Sequence, residues 1–238
     1  MKYNLLIIIP ARKGSKAIKN KNLIKINKKP LIFYSIQAAK LVKEKSKVIF
    51  CSTDCIKTQN IALHFGAEAT FLRPKSISTN LSRDITCVNH ALQKYSERNM
   101  KFKYGLILRP TSPIRQQISL NNAYKKFIRC KFANSMRAVT PSPSNPYKTW
   151  TLKKDLLKPV TNLKLKEFYN APRQLLPKTF WQVGNFDFFR INYKNILKST
   201  TGKKIVPYIV YGDETIDIDK YEDVKKSKIA ILKKNYIR

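Results

Sequence analysis

Apolar and polar positions come in blocks along the first 140 residues, and the blocks predict strands and helices in turn. Leu5–Ile9 is a short, continuous apolar run, the mark of a strand buried on both faces. A polar loop over 10–29 follows, and Pro30 opens the helix PLIFYSIQAAKLVKEK at a first position that tolerates proline. Ile32, Ile36, Ala39 and Val42 recur there at helical spacing and give one buried face. KVIFCSTD predicts a second strand, and IKTQNIALHFG a helix stopped by Gly66. EATFLRP reads as a short strand, and SRDITCVNHALQKYSERN as a helix that Ser82 caps. The strand YGLILRP, the helix SLNNAYKKFIRC and the strand SMRAVTP close the series.

Short apolar strands separated by helices imply an α/β fold, a mainly parallel sheet with helices on both faces. Ligands of such sheets bind beyond the carboxyl ends of the strands. That singles out the 10–22 loop, Ser52–Asp54, Arg73–Pro74 and Arg109–Arg115. Residues 141–180 break the rhythm, with Pro141, Pro143, Pro146, Pro159, Pro172 and Pro177 and little periodicity. They read as an excursion inserted into a single domain of residues 1–238, covering the site or pairing with another subunit. WQVGNFDFFRI and KIVPYIVY resume strand character, TIDID alternates as a strand does, and DKYEDVKKSKIAILKK is an amphipathic closing helix.

Composition narrows the class. Hydrophobic residues at 43% and aromatics at 11% exclude a disordered chain. No run approaches the roughly 20 apolar residues of a membrane span. The N-terminal LLIII stops at Pro10 before Arg12 and several lysines, with no small-residue cleavage site, so it reads as a strand and not a signal peptide. The expectation is a cytoplasmic protein. Cys51, Cys55, Cys87 and Cys130 lack CxxC spacing and only His64 and His90 accompany them, which argues against zinc and for reduced thiols packed as small residues.

The charge is the anomaly. Forty-eight Lys+Arg against 14 Asp+Glu give +34, normally a cue for nucleic acid or anionic surfaces. Yet the basic residues are scattered, Lys outnumbers Arg 37 to 11, and Asn and Ile are abundant. Biased base composition in the gene accounts for that pattern at least as well, so the sequence argues against nucleic acid as the partner. A basic nucleic-acid-binding protein on a retired enzyme fold is the alternative from another class.

The loop after the first strand carries Arg12, Lys13, Gly14, Ser15, Lys16, Lys19, Lys21 and Asn22. Gly14 allows backbone angles and a close approach that side chains block, and successive amides in such a turn make a nest for anionic oxygens. Arg12 and Lys21 are placed to neutralise a triphosphate and its departing pyrophosphate. The loop fits neither GxxxxGK[ST] nor GxGxxG. Asp217 and Asp219, two carboxylates on one face of a strand, suit a hard cation such as Mg²⁺. Arg109 and Arg115 flank the turn PTSP and, like Arg173 in NAPRQLLP, are candidates to fork onto a carboxylate or phosphate. The plainer readings are a solvated basic loop, a strand end paired with lysines, and surface ion pairs.

In this order the segments resemble the acylneuraminate cytidylyltransferases. That family's opening IPARGGSKGIPxKN is matched by IPARKGSKAIKNKN, and NGKPLIxYxIxAA by NKKPLIFYSIQAA. VIVSTD appears as VIFCSTD, GAExxFLRP as GAEATFLRP, and LQPTSPLR as LRPTSPIR. PRQxLP appears as PRQLLP, and SIDIDxxxD as TIDIDKYED. The resemblance runs from about residue 5 to residue 230. It implies a Rossmann-like nucleotide-diphospho-sugar transferase fold, and a homodimer whose small protruding segment reaches the neighbouring site. It implies attack of the anomeric hydroxyl of a nine-carbon 2-keto sugar acid on the α-phosphate of CTP, assisted by Mg²⁺.

By position, the resemblance gives Arg12, Gly14, Lys16, Lys21 and Asn22 to the nucleotide phosphates, and Arg73 and Ser82 to the nucleotide and its base. Arg173 corresponds to an arginine near the reacting phosphate or the sugar, so Arg12, Lys21 and Arg173 are the catalytic candidates. Arg109 and Arg173 fall at sugar-contact positions, and Asp217 and Asp219 at the metal pair. Lys13 and Ala17 replace family glycines, Asp84 stands where many relatives have serine, and Arg109 replaces a glutamine. The last change bears on the acceptor, with legionaminate, pseudaminate, Kdo or another nucleotide as alternatives.

Overall fold

The computed structural model describes residues 2–14, 17–193 and 197–234. Among these described residues ten strands are formed: β1 (Lys2–Pro10), β2 (Lys25–Ile26), β3 (Lys29–Pro30), β4 (Lys47–Ser52), β5 (Lys101–Ile107), β6 (Ser135–Pro141), β7 (Trp150–Lys153), β8 (Leu156–Pro159), β9 (Phe180–Arg190) and β10 (Ile205–Ile209). The helices are α1 (Leu31–Lys40), α2 (Ile56–His64), α3 (Asp84–Ser96), α4 (Gln117–Arg129) and α5 (Tyr221–Lys234). The main sheet has the order β10-β6-β9-β5-β1-β4. Strand β9 runs antiparallel between β5 and β6, and the other pairs are parallel.

The apolar run of β1 is explained by its two covers. Leu5, Ile7 and Ile9 join one core cluster, with α1 residues Ile32, Ile36 and Ala39 and α4 residues Leu120, Tyr124 and Phe127. Leu6 and Ile8 point the other way, against Cys87, Val88, Ala91 and Tyr95 of α3. Alternate side chains of one strand thus reach opposite faces, and both faces are dry. A third cluster packs Leu31 and Tyr34 of α1 on Val224 and Ile231 of α5.

Four local expectations change. Pro30 is the extended residue preceding α1 and not its first turn. EATFLRP forms only a bridge from Glu68 to Phe50 of the edge strand β4, then leaves the sheet to return at Arg73, whose amide donates to Thr53 O at 2.7 Å. Ser82 does not cap α3, because its Oγ accepts from Thr79 N at 3.0 Å, while Arg83 is the capping residue and Asp84 the first of the helix. TIDID is not a strand: a 3-10 turn, Gly212–Thr215, leads into irregular chain pinned by Ile218 N to Thr111 O at 2.8 Å. Satisfying those amides against a turn and not a neighbouring strand is what releases this segment from the sheet.

Between the antiparallel neighbours β6 and β9 the chain leaves the sheet, and β7 and β8 pair there as an antiparallel hairpin exposed at every position. All four cysteines are free thiols, with Cys51 and Cys87 buried and Cys55 and Cys130 half-buried.

Candidate active site

The parallel register sets Pro10 of β1 beside Ser52 of β4, and Ile8 beside Ile107 of β5, so the loops after these strands open at one edge. Two adjoining cavities lie there and share Arg12. One is walled by Arg12, Lys13, Gly14, Lys19, Asp54 and Asn80, the other by Arg12, Asn22, Arg73, Ser82, Asp84 and Arg109.

The phosphate-loop candidates are held by groups spread along the chain. Arg12 Nη1 donates to Asn80 Oδ1 at 2.7 Å, and a Cβ on Gly14 would lie 3.1 Å from that nitrogen, so the glycine serves close approach. Lys13 N donates to Asp54 Oδ1 at 2.7 Å, and Asn22 Nδ2 to Arg12 O at 2.8 Å. Asn20, not Gly14, takes the left-handed conformation, at φ 53°. Lys16 lies outside the described residues.

Lys21 joins this loop to the C-terminal segment. Its Nζ donates to Ile218 O at 2.6 Å and pairs with Asp219 Oδ1 at 3.1 Å. Asp217 lies on the other side of the buried Ile218, with Oδ1 3.3 Å from Ser112 Oγ. A Cβ on Gly184 would stand 3.1 Å from Asp217 Oδ2 and 2.8 Å from Ser112 Oγ, so that corner has no room for a larger residue. Among the described residues no three metal-ligating side chains cluster. Carboxylate oxygens such as these are the ligand type Mg²⁺ takes alongside waters and substrate phosphate oxygens.

Arg73 is buried and anchors on Ser52, through Nε to Oγ at 3.0 Å and Nη2 to the carbonyl at 2.9 Å. Arg115, a candidate surface ion pair by sequence, is instead fully buried. It donates to Asn185 O at 2.7 Å, Ser35 Oγ at 3.1 Å and Arg109 O at 2.7 Å, tying the PTSP turn to β9 and α1. Burial, and then the neighbouring Arg109 charge, lower its pKa against the opposing pull of Asp217 and Glu214. Glu214 accepts from Gln116 N at 3.0 Å and Ser119 Oγ at 2.9 Å, where its charge complements the start of α4.

Arg109 gives Nε and Nη2 to Asp84 Oδ2 at 3.0 and 2.5 Å, and sets Nη1 2.8 Å from Asp187 Oδ2. Burial opposes its charge, but Asp187 and Asp84 outweigh that and hold its pKa above the ordinary arginine range. Asp187 is 4% exposed and also faces Arg137 Nε at 3.9 Å. The sequence reading missed Asp187, although a lone acid inside the apolar β9, in a chain of 14 acids, was a signal. Asn80 was also missed, because its partner Arg12 lies 68 residues away, whereas Asp54 falls in the Ser52–Asp54 segment that the strand-end rule singled out.

Arg173 is not brought to this edge within one chain. It lies on the excursion, Nη2 3.2 Å from Pro143 O, in a separate cavity with Asn145, Leu176 and Phe180.

The family described as cytidylyltransferase matches residues 6–123. The chain is 30% identical to "Post-translational flagellin modification protein B" of Campylobacter coli, over 97% of its length and 96% of that protein's. It is 31% identical to "CMP-N,N'-diacetyllegionaminic acid synthase" of Campylobacter jejuni, again over 97% and 96%. The "N-acylneuraminate cytidylyltransferase" of Escherichia coli is 27% identical over 99% of the chain, which spans 54% of that larger protein. A solved "CMP:2-keto-3-deoxy-manno-octonic acid synthetase complexed with CTP" has the same fold, at TM-score 0.69 and 15% identity over 97% of this chain and 99% of that one.

Proposed function

Because the chain belongs to the cytidylyltransferase family and is a nucleotidyltransferase of the acylneuraminate type, we propose that it transfers CMP from CTP to the anomeric hydroxyl of a sialic-acid-like nine-carbon 2-keto sugar acid. The observation that carries this reading is the meeting of the phosphate loop with the Asp217–Asp219 segment through Lys21. The hydroxyl oxygen bonds to the α-phosphorus, the bond from that phosphorus to its bridging oxygen breaks, and pyrophosphate leaves with the electron pair. The hydroxyl proton passes to solvent.

No covalent intermediate is needed, so the chain's work is positioning and charge stabilisation. Arg12, fixed by Asn80, and the amides of the loop, fixed by Asp54, face the phosphates. Asn22 holds the loop's turn through Arg12 O, and Lys21 carries a charge toward the departing pyrophosphate. Arg73 and Ser82 line the nucleotide cavity. Asp217 and Asp219 would hold Mg²⁺, which would supply further charge neutralisation when bound.

The full-length similarity to a protein named for diacetyllegionaminic acid supports legionaminate as the first acceptor to test, with pseudaminate and N-acylneuraminate beside it. Exposed Leu152, Leu156, Leu157, Val160 and Leu175 on the excursion support a second copy of this chain as partner, which brings Arg173 to the neighbouring site. No described helix is long and apolar enough to cross a membrane, and we assign the activity to the cytoplasm, where CTP is made.

The test is pyrophosphate release with CTP, GTP or UTP against a panel of eight- and nine-carbon keto acids. Release with CTP and a nine-carbon acid is expected. Release with none of them overturns the proposal. For the dimer, mixing Arg173→Ala and Arg12→Ala chains, each impaired alone at limiting CTP, should restore part of the activity, and a monomer in sedimentation overturns that assignment.

A further inference from the structure

Asp217 and Asp219 sit on chain that neither sheet nor helix fixes, because residues 216–220 have no regular secondary structure. Each acid is anchored from a different side. Asp219 is held toward α5, where Asp223 Oδ2 accepts from the amides of Asp219 at 3.0 Å and Lys220 at 2.9 Å. Asp217 is held from β9 and the PTSP turn. Asn185 of β9 donates through Nδ2 to Glu214 O at 2.7 Å and to Ile114 O at 3.0 Å, and so clips the turn Gly212–Thr215 to the chain just after PTSP. The PTSP turn also takes Ile218 N on Thr111 O, and it sets Ser112 Oγ 3.3 Å from Asp217 Oδ1.

Strand β9 is shaped for this clip. Its register against β6 shifts between Arg137 and Val139, which leaves residues 183–186 between the two registers. Such an irregularity re-aims side chains. Gly184 there leaves the space that Asp217 and Ser112 occupy, and Asn185 beside it is fully buried. Asn185 Oδ1 has no hydrogen-bond partner among the described residues. Turning the amide over would set that oxygen against two carbonyls, so the orientation is fixed by where its N–H groups go. A buried side chain kept only for packing gains nothing from an orphaned acceptor, which an apolar residue avoids. Resting on the reading that Asp217 and Asp219 hold the cation, we infer that Asn185 is a positioning residue for the reaction, fixing Asp217 relative to Asp219 while Ser112 aims the carboxylate. Mg²⁺ demands near-ideal octahedral geometry, so a small shift of one acid against the other is felt as lost affinity.

Mn²⁺ binding to the complex of the full chain with CTP, followed by electron paramagnetic resonance against a CTP-only blank, tests this without acceptor or turnover. Asn185→Ala should weaken Mn²⁺ by at least about tenfold, as loss of a group that orients a metal ligand does, and should change metal-free CTP affinity in EDTA by less than about threefold. A merely structural role would lower Tm and leave the cation affinity of the folded protein unchanged. A folded Asn185→Ala with wild-type Mn²⁺ affinity therefore overturns the inference while leaving cytidylyl transfer standing. An Asp217→Asn chain that binds Mn²⁺ like wild type overturns the metal reading and the inference with it. Should Asn185→Ala fail to fold, Ser112→Ala carries the test, since it removes the hydroxyl beside Asp217 and leaves the clip in place. It should weaken Mn²⁺ by at least about threefold, the scale of one weak hydrogen bond, and unchanged affinity there refutes the assignment.

Discussion

Replacing Arg109 by glutamine should destabilise this protein far more than replacing Asp84 on the other side of the same ion pair. Asp187 is 4% exposed and takes its charge compensation at 2.8 Å from Arg109, with Arg137 only at 3.9 Å. Removing one partner of a buried pair leaves an uncompensated charge and costs about 3–5 kcal/mol. Arg109 is 23% exposed and Arg137 remains, so the lower end applies, about 3 kcal/mol. For a domain of this size each kcal/mol lowers Tm by about 2–4 °C, giving a drop of about 6–12 °C. Asp84 is 34% exposed, and a pair screened by solvent contributes about 0–1 kcal/mol, so Asp84→Ser should lower Tm by less than about 4 °C. Differential scanning calorimetry measures both. Arg109→Gln/Asp187→Asn, which removes both charges, should recover a large part of the loss, a coupling of about 1–3 kcal/mol. An Arg109→Gln variant melting within about 2 °C of wild type, or a strictly additive double variant, refutes the idea that Asp187 depends on Arg109.

Asp219→Asn should reduce turnover by at least about tenfold in pyrophosphate release, and full Mg²⁺-dependent activity in Asp217→Asn/Asp219→Asn would remove the metal assignment. Arg12→Ala should raise KM for CTP by about tenfold or more with a smaller change in kcat, read from initial rates, since it deletes a charged contact to the bound triphosphate. Iodoacetamide at pH 8 should label Cys55 before Cys51 and Cys87, as peptide mass spectrometry would reveal. Burial pushes the thiols of Cys51 and Cys87 up to about 12 and about 11. At Cys55 burial is overcome by hydrogen bonds from Thr58 and Lys57 and by Lys13, so its pKa is lowered. Glu44 also has a lowered pKa, burial being outweighed by Tyr124, Ser46, Asn4 and Lys47. Its contribution to stability is therefore present above the unfolded carboxylate's pKa of about 4.3 and lost as pH falls below it. Denaturant melts from pH 5 down to pH 3 should be less steeply pH-dependent in Glu44→Gln.

Local pattern alone determined much of this molecule. The run Leu5–Ile9, the spacing of Ile32, Ile36 and Ala39, and the apolar positions of α3 each specify an element whose burial needs no knowledge of its partner. The order of those elements gave the parallel sheet, and the sheet gave the edge at which Arg12, Lys21 and Arg73 gather. What only the tertiary structure decided depends on partners distant in the chain. EATFLRP has strand-forming residues, yet it meets β4 at a single bridge. TIDID alternates like a strand, but Ile218 is claimed by Thr111 and Lys21, 107 and 197 residues away, so its two carboxylates are placed by a turn and not by a pleat. Ser82 has the chemistry of a cap, and the Thr79 amide takes it. Arg109 and Arg115 differ little as residues in a sequence. One is locked between two carboxylates and the other buried among carbonyls, because an arginine's role is set by which acceptors the fold brings within 3 Å of its guanidinium.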